Sequence, residues 1–97
     1  MVDFASEYSK IADELTRLVQ DELRRQGLVD TGSLLNSVRF VANPSPQGYT
    51  IEMEALDYFK YVDERYGILD AVFSSSSYEN IGNQIAELYS LYIIEQI

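Results

Sequence analysis

The chain of 97 residues contains neither cysteine nor histidine. Their absence excludes disulfide bonds, thiolate nucleophiles, imidazole bases and the usual zinc ligands together. No apolar run approaches the roughly 20 residues that a membrane-spanning helix needs. Asp3 and Glu7 stand within an amphipathic N-terminal pattern, which lacks the basic start and apolar stretch of a signal peptide. A disulfide-bonded, zinc-binding or membrane-spanning protein is therefore not expected.

Basic residues are few as well. Lysine and arginine number 7 against 16 aspartates and glutamates, so the formal net charge is −9. This balance opposes binding to nucleic-acid phosphates, which requires basic side chains. It suits a protein that avoids DNA, one whose partner is basic, or one in which charge serves solubility alone. Because 46% of the residues are apolar, we expect one folded domain over residues 1–97 rather than a disordered chain.

Residues 3–26 show the clearest helical pattern. Apolar residues recur there at intervals of three and four, the spacing of one helix face. They are Phe4, Tyr8, Ile11, Ala12, Leu15, Leu18, Val19 and Leu23. On the opposite face, Asp13 with Arg17 and Asp21 with Arg25 stand four residues apart with the acid first, a pairing worth about 0.2–0.5 kcal/mol each. The pattern predicts a long amphipathic helix with one face in the core.

A short segment without clear periodicity follows this helix. Gly27 is predicted to end the helix. Asp30 or Thr31 can cap a short helical turn through a side-chain oxygen, and Gly32 keeps that turn tight. Three apolar residues share one side of it: Leu34, Leu35 and Val38. The segment therefore predicts a helical turn that leads into a strand.

Two strand-like segments come next. They predict a β-hairpin over residues 38–43 and 48–55, with a connecting loop too long and too rich in proline for a tight primed turn. Alternate residues of the second strand are apolar: Tyr49, Ile51, Met53 and Ala55. Glu52 and Glu54 fall between them on the other face, which is expected to meet water. Arg39 is expected to pair with one of these glutamates across the hairpin, and the alternative is a contact with a neighbouring subunit.

The stretch after the second strand carries four aromatic rings beside three acids. Asp57 can cap a short helix here, and Gly67 can end it. Tyr58, Tyr61 and Val62 would share one face of this helix. Their rings are expected in the core or at an interface, because a buried tyrosine hydroxyl needs a polar partner.

The last part of the chain combines a linker with an apolar helical pattern. Residues 68–73 are expected to form a short strand or an extended arm, and residues 74–77 a linker of four serines that forms a loop or a helix cap. A helix is predicted over residues 78–96. From Leu88 onward it is apolar almost all round, with Tyr92 on its main stripe. Contacts between subunits are therefore expected, and a central position within the monomer is the alternative.

The order of these elements is helix, hairpin, short helix, possible strand and helix. This order is typical of an α+β fold. We expect a long N-terminal helix, a small antiparallel β-sheet with a short helix, and a C-terminal helix packed on the sheet.

Two short motifs flank the predicted hairpin. The first, Thr-Gly-x-Leu-x-x-Ser, is matched by Thr31, Gly32, Leu34 and Ser37. The second, similar to Tyr-x-x-Tyr-Val-Glu-x-Gly, is matched by Tyr58, Tyr61, Val62, Asp63 and Gly67, with aspartate for glutamate and extra residues before the glycine. In order and spacing, over residues 10–97, the chain resembles the neck and tail-completion proteins of long-tailed bacteriophages. Departures are Val29 for a common proline, Ile68 after Gly67, and Val72-Phe73 for a proline-aromatic stretch.

The resemblance implies a structural virion protein without catalysis or cofactors. Such proteins form homo-oligomeric rings, six-fold or twelve-fold, around the DNA channel at the head–tail junction. They serve there as neck, tail-completion or tail-terminator proteins beside other neck and tail proteins, after assembly in the bacterial cytoplasm. Leu88 and Tyr92 would supply ring contacts. Glu52 and Glu54 would line a channel that lets DNA slide without specific binding, and the alternative is an ordinary solvated sheet face.

Two other classes of function stay open on the sequence. A small acidic binding module, such as a DNA mimic or an inhibitor of a basic protein, fits the charge, although the acids are spread over every element. An enzyme would need Asp57, Asp63 and Glu64 to hold a hard cation such as calcium or magnesium. The chain has neither the spacing of a calcium-binding loop nor a glycine-rich phosphate loop, and its serine run has no evident base. An enzyme is therefore not expected.

Overall fold

The computed structural model describes residues 3–28, 32–46 and 48–85. Its elements are α1 (Phe4–Arg25), α2 (Ser33–Ser37), β1 (Arg39–Ser45), β2 (Gly48–Glu54), α3 (Phe59–Tyr66) and α4 (Ile68–Phe73). Residues 76–85 are also helical. The fold is α+β, with a long N-terminal helix, a two-stranded antiparallel sheet and short helices after it, as predicted. Asp30, Thr31, Leu88 and Tyr92 lie outside the described residues. None of the helices among the described residues is long and apolar enough to cross a membrane.

Helix α1 matches the predicted amphipathic helix closely. Its N-terminus is capped by Asp3, whose carboxylate accepts a hydrogen bond from the Ser6 amide at 3.1 Å. At the other end, Gly27 and Leu28 donate their amides back into the last turn, which confirms the predicted stop. The buried face consists of Tyr8, Ile11, Ala12, Leu15, Val19 and Leu23. This face forms one side of the core.

The ion pairs on the exposed face of α1 differ from those predicted. Arg17 contacts Glu14 and Asp21, and Arg25 contacts Glu22. Acids three and four residues away compete for the same guanidinium, and each of these arginines contacts the glutamate three residues before it instead of the aspartate four residues before it. Hydrogen bonds from these arginines lower the pKa of Glu14 and of Glu22 below the ordinary value of a glutamate.

The hairpin is longer and its connection shorter than predicted. Strand β1 continues to Ser45, which pairs with Gly48, so only residues 46 and 47 connect the strands. The prediction of a long loop is wrong because Pro44 is accommodated inside β1. Pro44 pairs with Tyr49 at a position whose amide would point away from β2, so the missing donor removes no bond of the ladder.

The hairpin packs along α1 through its inner face. Phe40 in β1 is buried, and its amide donates to the Thr16 hydroxyl at 2.8 Å. The ring of Tyr49 in β2 stacks on that of Tyr8, with centroids 4.7 Å apart. The other face carries Glu52 among its exposed residues. The predicted alternation of a dry and a wet face is confirmed.

The segment after α3 is helical rather than extended. Residues 68–73 form α4, which packs against α1 through the buried Ile68 and Val72. A spacing of four places these two side chains on one face of the helix, and the Asp63 carboxylate caps its first turn. The serine run is not a plain linker either. Ser75 donates its hydroxyl to the Val72 carbonyl at 2.6 Å and accepts the Tyr78 amide at 3.2 Å, and it thereby caps the helix at 76–85, whose Ile81 reaches the core.

Candidate functional site

The first motif forms a turn that is held by packing and hydrogen bonds. Gly32 has a φ of 70°, in the left-handed region, and precedes α2. Leu34 is buried in the core. The Ser37 hydroxyl donates to the Leu34 carbonyl at 2.7 Å and accepts the Leu56 amide at 3.2 Å. The described residues of this motif therefore join α2 to the chain that leaves β2, a role internal to the fold.

The second motif builds the corner between α3 and α4. Gly67, with a φ of 64°, ends α3 and immediately precedes α4. The Asp63 carboxylate accepts the Leu69 amide at 2.8 Å, so it caps the start of α4 across the glycine. Val62 packs against the core. Asp63 and Gly67 thus form the corner, and Val62 connects α3 to the core.

The two tyrosines of the second motif do not enter the core. Tyr58 is 44% exposed and Tyr61 is 66% exposed, whereas Phe59 is only 3% exposed. The core placement considered for the tyrosines is wrong because α3 turns Phe59 and Val62 inward, and each tyrosine precedes one of these residues by about 100° around the helix. Tyr58 and Tyr61 are neighbours one turn apart. We call them the tyrosine pair.

The predicted cap of α3 is also wrong. Tyr58 occupies the N-cap position, and no side chain caps the helix there. Instead, the carbonyls of Leu56 and Asp57 accept amides from the first turn, at 2.9 Å from Phe59 and 3.4 Å from Lys60. Backbone bonds of this kind satisfy the free amides without a side-chain cap, which leaves the Asp57 carboxylate at the surface.

Glu52 and Glu54 lie on the exposed face of the hairpin, as predicted. Arg39 stands directly opposite Glu54 in the register. Within the part of the chain that the structure describes, however, no ion pair joins Arg39 to either glutamate. Ordering two long exposed side chains costs entropy, and such a pair in water gains little in return.

A depression of about 310 Å³ lies between the end of β2 and the helices α3 and α4. Apolar side chains that line it include Met53, Phe59 and Leu69, and the charged side chains are Asp57, Lys60 and Asp63. The three acids considered as cation ligands, Asp57, Asp63 and Glu64, do not form a metal-binding group among the described residues. Asp63 is already engaged by the Leu69 amide. The depression is therefore a mixed apolar and charged surface.

Comparisons of the chain with protein-family models, with curated proteins and with solved structures found no match. Function must therefore be argued from the surfaces of this chain. Two structural residues escape sequence reasoning, Thr16 and Phe59. Ser75 fulfils the helix-cap interpretation of the serine run, since a serine before a helical pattern is a common cap.

Proposed function

We propose that the chain is a structural subunit of a homo-oligomeric ring at the head–tail junction of a tailed bacteriophage. The observation that supports this best is the exposed tyrosine pair. In the resembling motif, Val62, Asp63 and Gly67 have roles inside the fold, whereas the side chains of Tyr58 and Tyr61 show none among the residues that the structure describes. Tyrosines of this kind provide large contact areas with a polar end and are enriched in interfaces between subunits.

The acidic sheet face fits the same proposal. Glu52 and Glu54 are exposed side by side on β2, and the chain as a whole carries a net charge of −9. In a ring, this face would line the channel and repel DNA phosphates, which removes adhesive contacts. Leu88 and Tyr92 belong to the proposal as further ring contacts. The role is structural and not catalytic, and the site of action is the virion.

The experiment measures the mass of assemblies, because a ring gives a defined multiple of the 11.1 kDa chain. Light scattering on purified protein and electron microscopy of virion-derived material are both required, since free subunits can remain monomeric until they contact the neighbouring virion proteins. We expect rings in the virion material for the wild type and for the control Glu64→Ser. Tyr61→Ser is expected to remain folded, since exposed substitutions usually shift stability by less than about 0.5 kcal/mol, and to lose the ring.

A monomer in both kinds of material would overturn the proposal. Ring formation by a Tyr58→Ser and Tyr61→Ser double variant at the wild-type level would remove its main support. Circular dichroism and urea unfolding of each variant separate loss of assembly from loss of folding.

A small acidic binding module is the second candidate, and the acidic exposed face of β2 favours it. For this candidate, immobilised wild-type chain would retain one basic protein in stoichiometric amount. The variant with both Glu52→Gln and Glu54→Gln would lose it, because charge complementarity sets such recognition. If the wild-type chain and the variant retained the basic protein in equal amounts, the result would count against this candidate.

A further inference from the structure

The direction of the backbone groups along the hairpin follows from one hydrogen bond. The Phe40 amide donates to Thr16 in α1, so it points away from β2. In an antiparallel ladder, two opposed residues point their amides either both toward each other or both away. Met53 is opposite Phe40. Its amide therefore points outward from the hairpin, and the same holds for Ile51 and Tyr49 at two-residue steps.

A second hydrogen bond confirms this alternation. The Leu56 amide, three residues after Met53, points toward the β1 side and reaches the Ser37 hydroxyl at 3.2 Å. The closing pair of the hairpin, Ser45 and Gly48, agrees with it, because the residues that flank a two-residue connection bond to each other. The amides of Thr50, Glu52 and Glu54 thus serve the ladder, and every second amide of β2 faces outward.

The two edges of the sheet differ in their availability. On β1, the Phe40 donor is occupied by Thr16, and Pro44 has no donor at all. On β2, the outward backbone groups of Tyr49, Ile51 and Met53 make no hydrogen bond within the described ranges. An edge of this kind is a template for a further strand. We call it the β2 edge.

The depression described above adjoins the β2 edge. Met53 lines it from β2 and Ala55 from the residue after the strand, and its other lining residues come from Leu56 onward through α3 and α4. Neither α1 nor β1 contributes to its lining, so it lies on the outer side of β2. A strand added to an edge presents alternate side chains to one face. The depression can therefore receive an apolar side chain of a strand bound at the edge.

The charge around the edge selects the kind of strand. Glu52 and Glu54 flank it on the exposed face and Asp57 stands at the depression, whereas the basic side chains nearby are Lys60 and, opposite Glu54 on β1, Arg39. A second copy of β2 paired in the register centred on Met53, beside the depression, is disfavoured, because it would set Glu52 opposite Glu54 of the other copy and like charges directly opposite are destabilising. A strand with basic residues at alternate positions would instead pair with these carboxylates.

We propose that the β2 edge and its adjoining depression bind an extended basic segment of another protein, which adds as a third strand. This inference does not depend on assembly through the tyrosine pair, because the edge is defined by backbone groups. It uses the same glutamates, Glu52 and Glu54, as the proposed channel lining, and it deepens the second candidate, the acidic binding module. Failure of assembly and failure of strand binding can still be recognised separately.

The test follows amide hydrogen exchange by NMR on the full chain. In the free protein, the amides of Tyr49, Ile51 and Met53 exchange fast and those of Glu52 and Glu54 slowly. The probe is a capped six-residue peptide of alternating lysine and valine at low salt. At saturation, it is expected to slow exchange of the three outward amides by tenfold or more. The matched peptide with glutamate in place of lysine is expected to leave them unchanged.

Two variants separate backbone from charge. Ile51→Pro removes an outward donor and leaves the ladder donors in place, so it is expected to abolish protection while Thr50, Glu52 and Glu54 stay slow. The double variant Glu52→Gln and Glu54→Gln keeps the edge and loses two cross-strand charge pairs, and it is expected to bind the lysine peptide about 2- to 30-fold more weakly. If the proline variant fails to fold, the weaker binding of the lysine peptide to the double variant is the test of the proposal.

Three results would overturn the proposal. The first is an unchanged exchange rate at all three outward amides with millimolar lysine peptide. The second is that the wild type binds the glutamate peptide as tightly as the lysine peptide, or that the double variant binds the lysine peptide as tightly as the wild type does. The third is protection of the same amides in a free dimer, which would make a second copy the occupant.

Discussion

The hydroxyl of Thr16 joins the helical and the strand layers, and its removal gives a sharp test of the fold. Thr16→Val keeps the shape of the side chain and nearly the same helix propensity. It leaves the buried Phe40 amide, now 2.8 Å from an accepting oxygen, without a partner. A buried donor left unpaired costs about 1–3 kcal/mol. The bond to the Ala12 carbonyl is also lost, but that oxygen still accepts an amide within α1.

A central cost of about 2 kcal/mol corresponds to a fall in Tm of about 8–16 °C for a domain of this size. Urea unfolding followed by circular dichroism gives the free energy, and exchange of the Phe40 amide reports the bond directly. Thr16→Ser is the matched control, since it retains the hydroxyl and loses one methyl group, worth at most about 0.8 kcal/mol. If Thr16→Val proved as stable as Thr16→Ser, the assigned link between α1 and β1 would be wrong.

Two further predictions concern backbone conformation and charge. Gly67→Ala should destabilise the chain by about 1–2 kcal/mol, because a φ of 64° strains any residue with a side chain, although no atom lies within 4 Å of the added Cβ. Gly82→Ala, within a helix, should instead stabilise the chain by about 0.5–1 kcal/mol. Urea midpoints that shift in the same direction for both variants would contradict this prediction. The lowered pKa values of Glu14 and Glu22 mean that their contribution is present above the unfolded pKa of about 4.3 and is lost as pH falls through the folded values. The variant with both Glu14→Gln and Glu22→Gln should therefore have a slightly lower free energy of unfolding than the wild type at pH 7 and the same free energy at pH 2. A difference that stays constant from pH 7 to pH 2 would refute the assignment.

The elements that sequence reasoning predicts well are those with strong local signals. Helix α1 carries its apolar spacing over 22 residues, and β2 alternates without a break from Tyr49 to Glu54. Gly27 and Gly67 adopt the positive φ that ends a helix, which their residue type alone suggests. Each of these features depends on residues that are close in sequence, so no tertiary information is needed.

Helix α4 shows where local signals fail. Residues 68–73 are short and rich in strand-forming side chains, so their propensity favours an extended chain. Their helical form depends on contacts made elsewhere: Ile68 and Val72 are buried against α1, and Asp63 caps the first turn. The place of Pro44 inside β1 has a similar origin, since it depends on the pairing register, which sets whether the amide at this position would point toward β2 or away from it.

The orientation of α3 could not be fixed from its composition. Aromatic residues occupy several faces of this short helix, so its apolar pattern is compatible with more than one rotation. The predicted cap at Asp57 gives no information on this rotation, because the residue at which a helix begins does not determine which face packs inward. A rotation of about 100°, the step of one residue, is enough to exchange Phe59 for Tyr58 at the core.

The fold also separates the motif residues into two kinds of evidence about function. Gly32, Leu34 and Ser37 would be selected in any protein that needs this turn, because each has a conformational, packing or hydrogen-bonding role within the chain. Agreement at such positions reports a shared local structure and carries little weight for a shared function. Within the part of the chain that the structure describes, the side chains of Tyr58 and Tyr61 show no such role, and exposing two large rings has no benefit for folding. The argument for assembly therefore depends on these two residues, and substitutions there can change function while the corner between α3 and α4 stays intact.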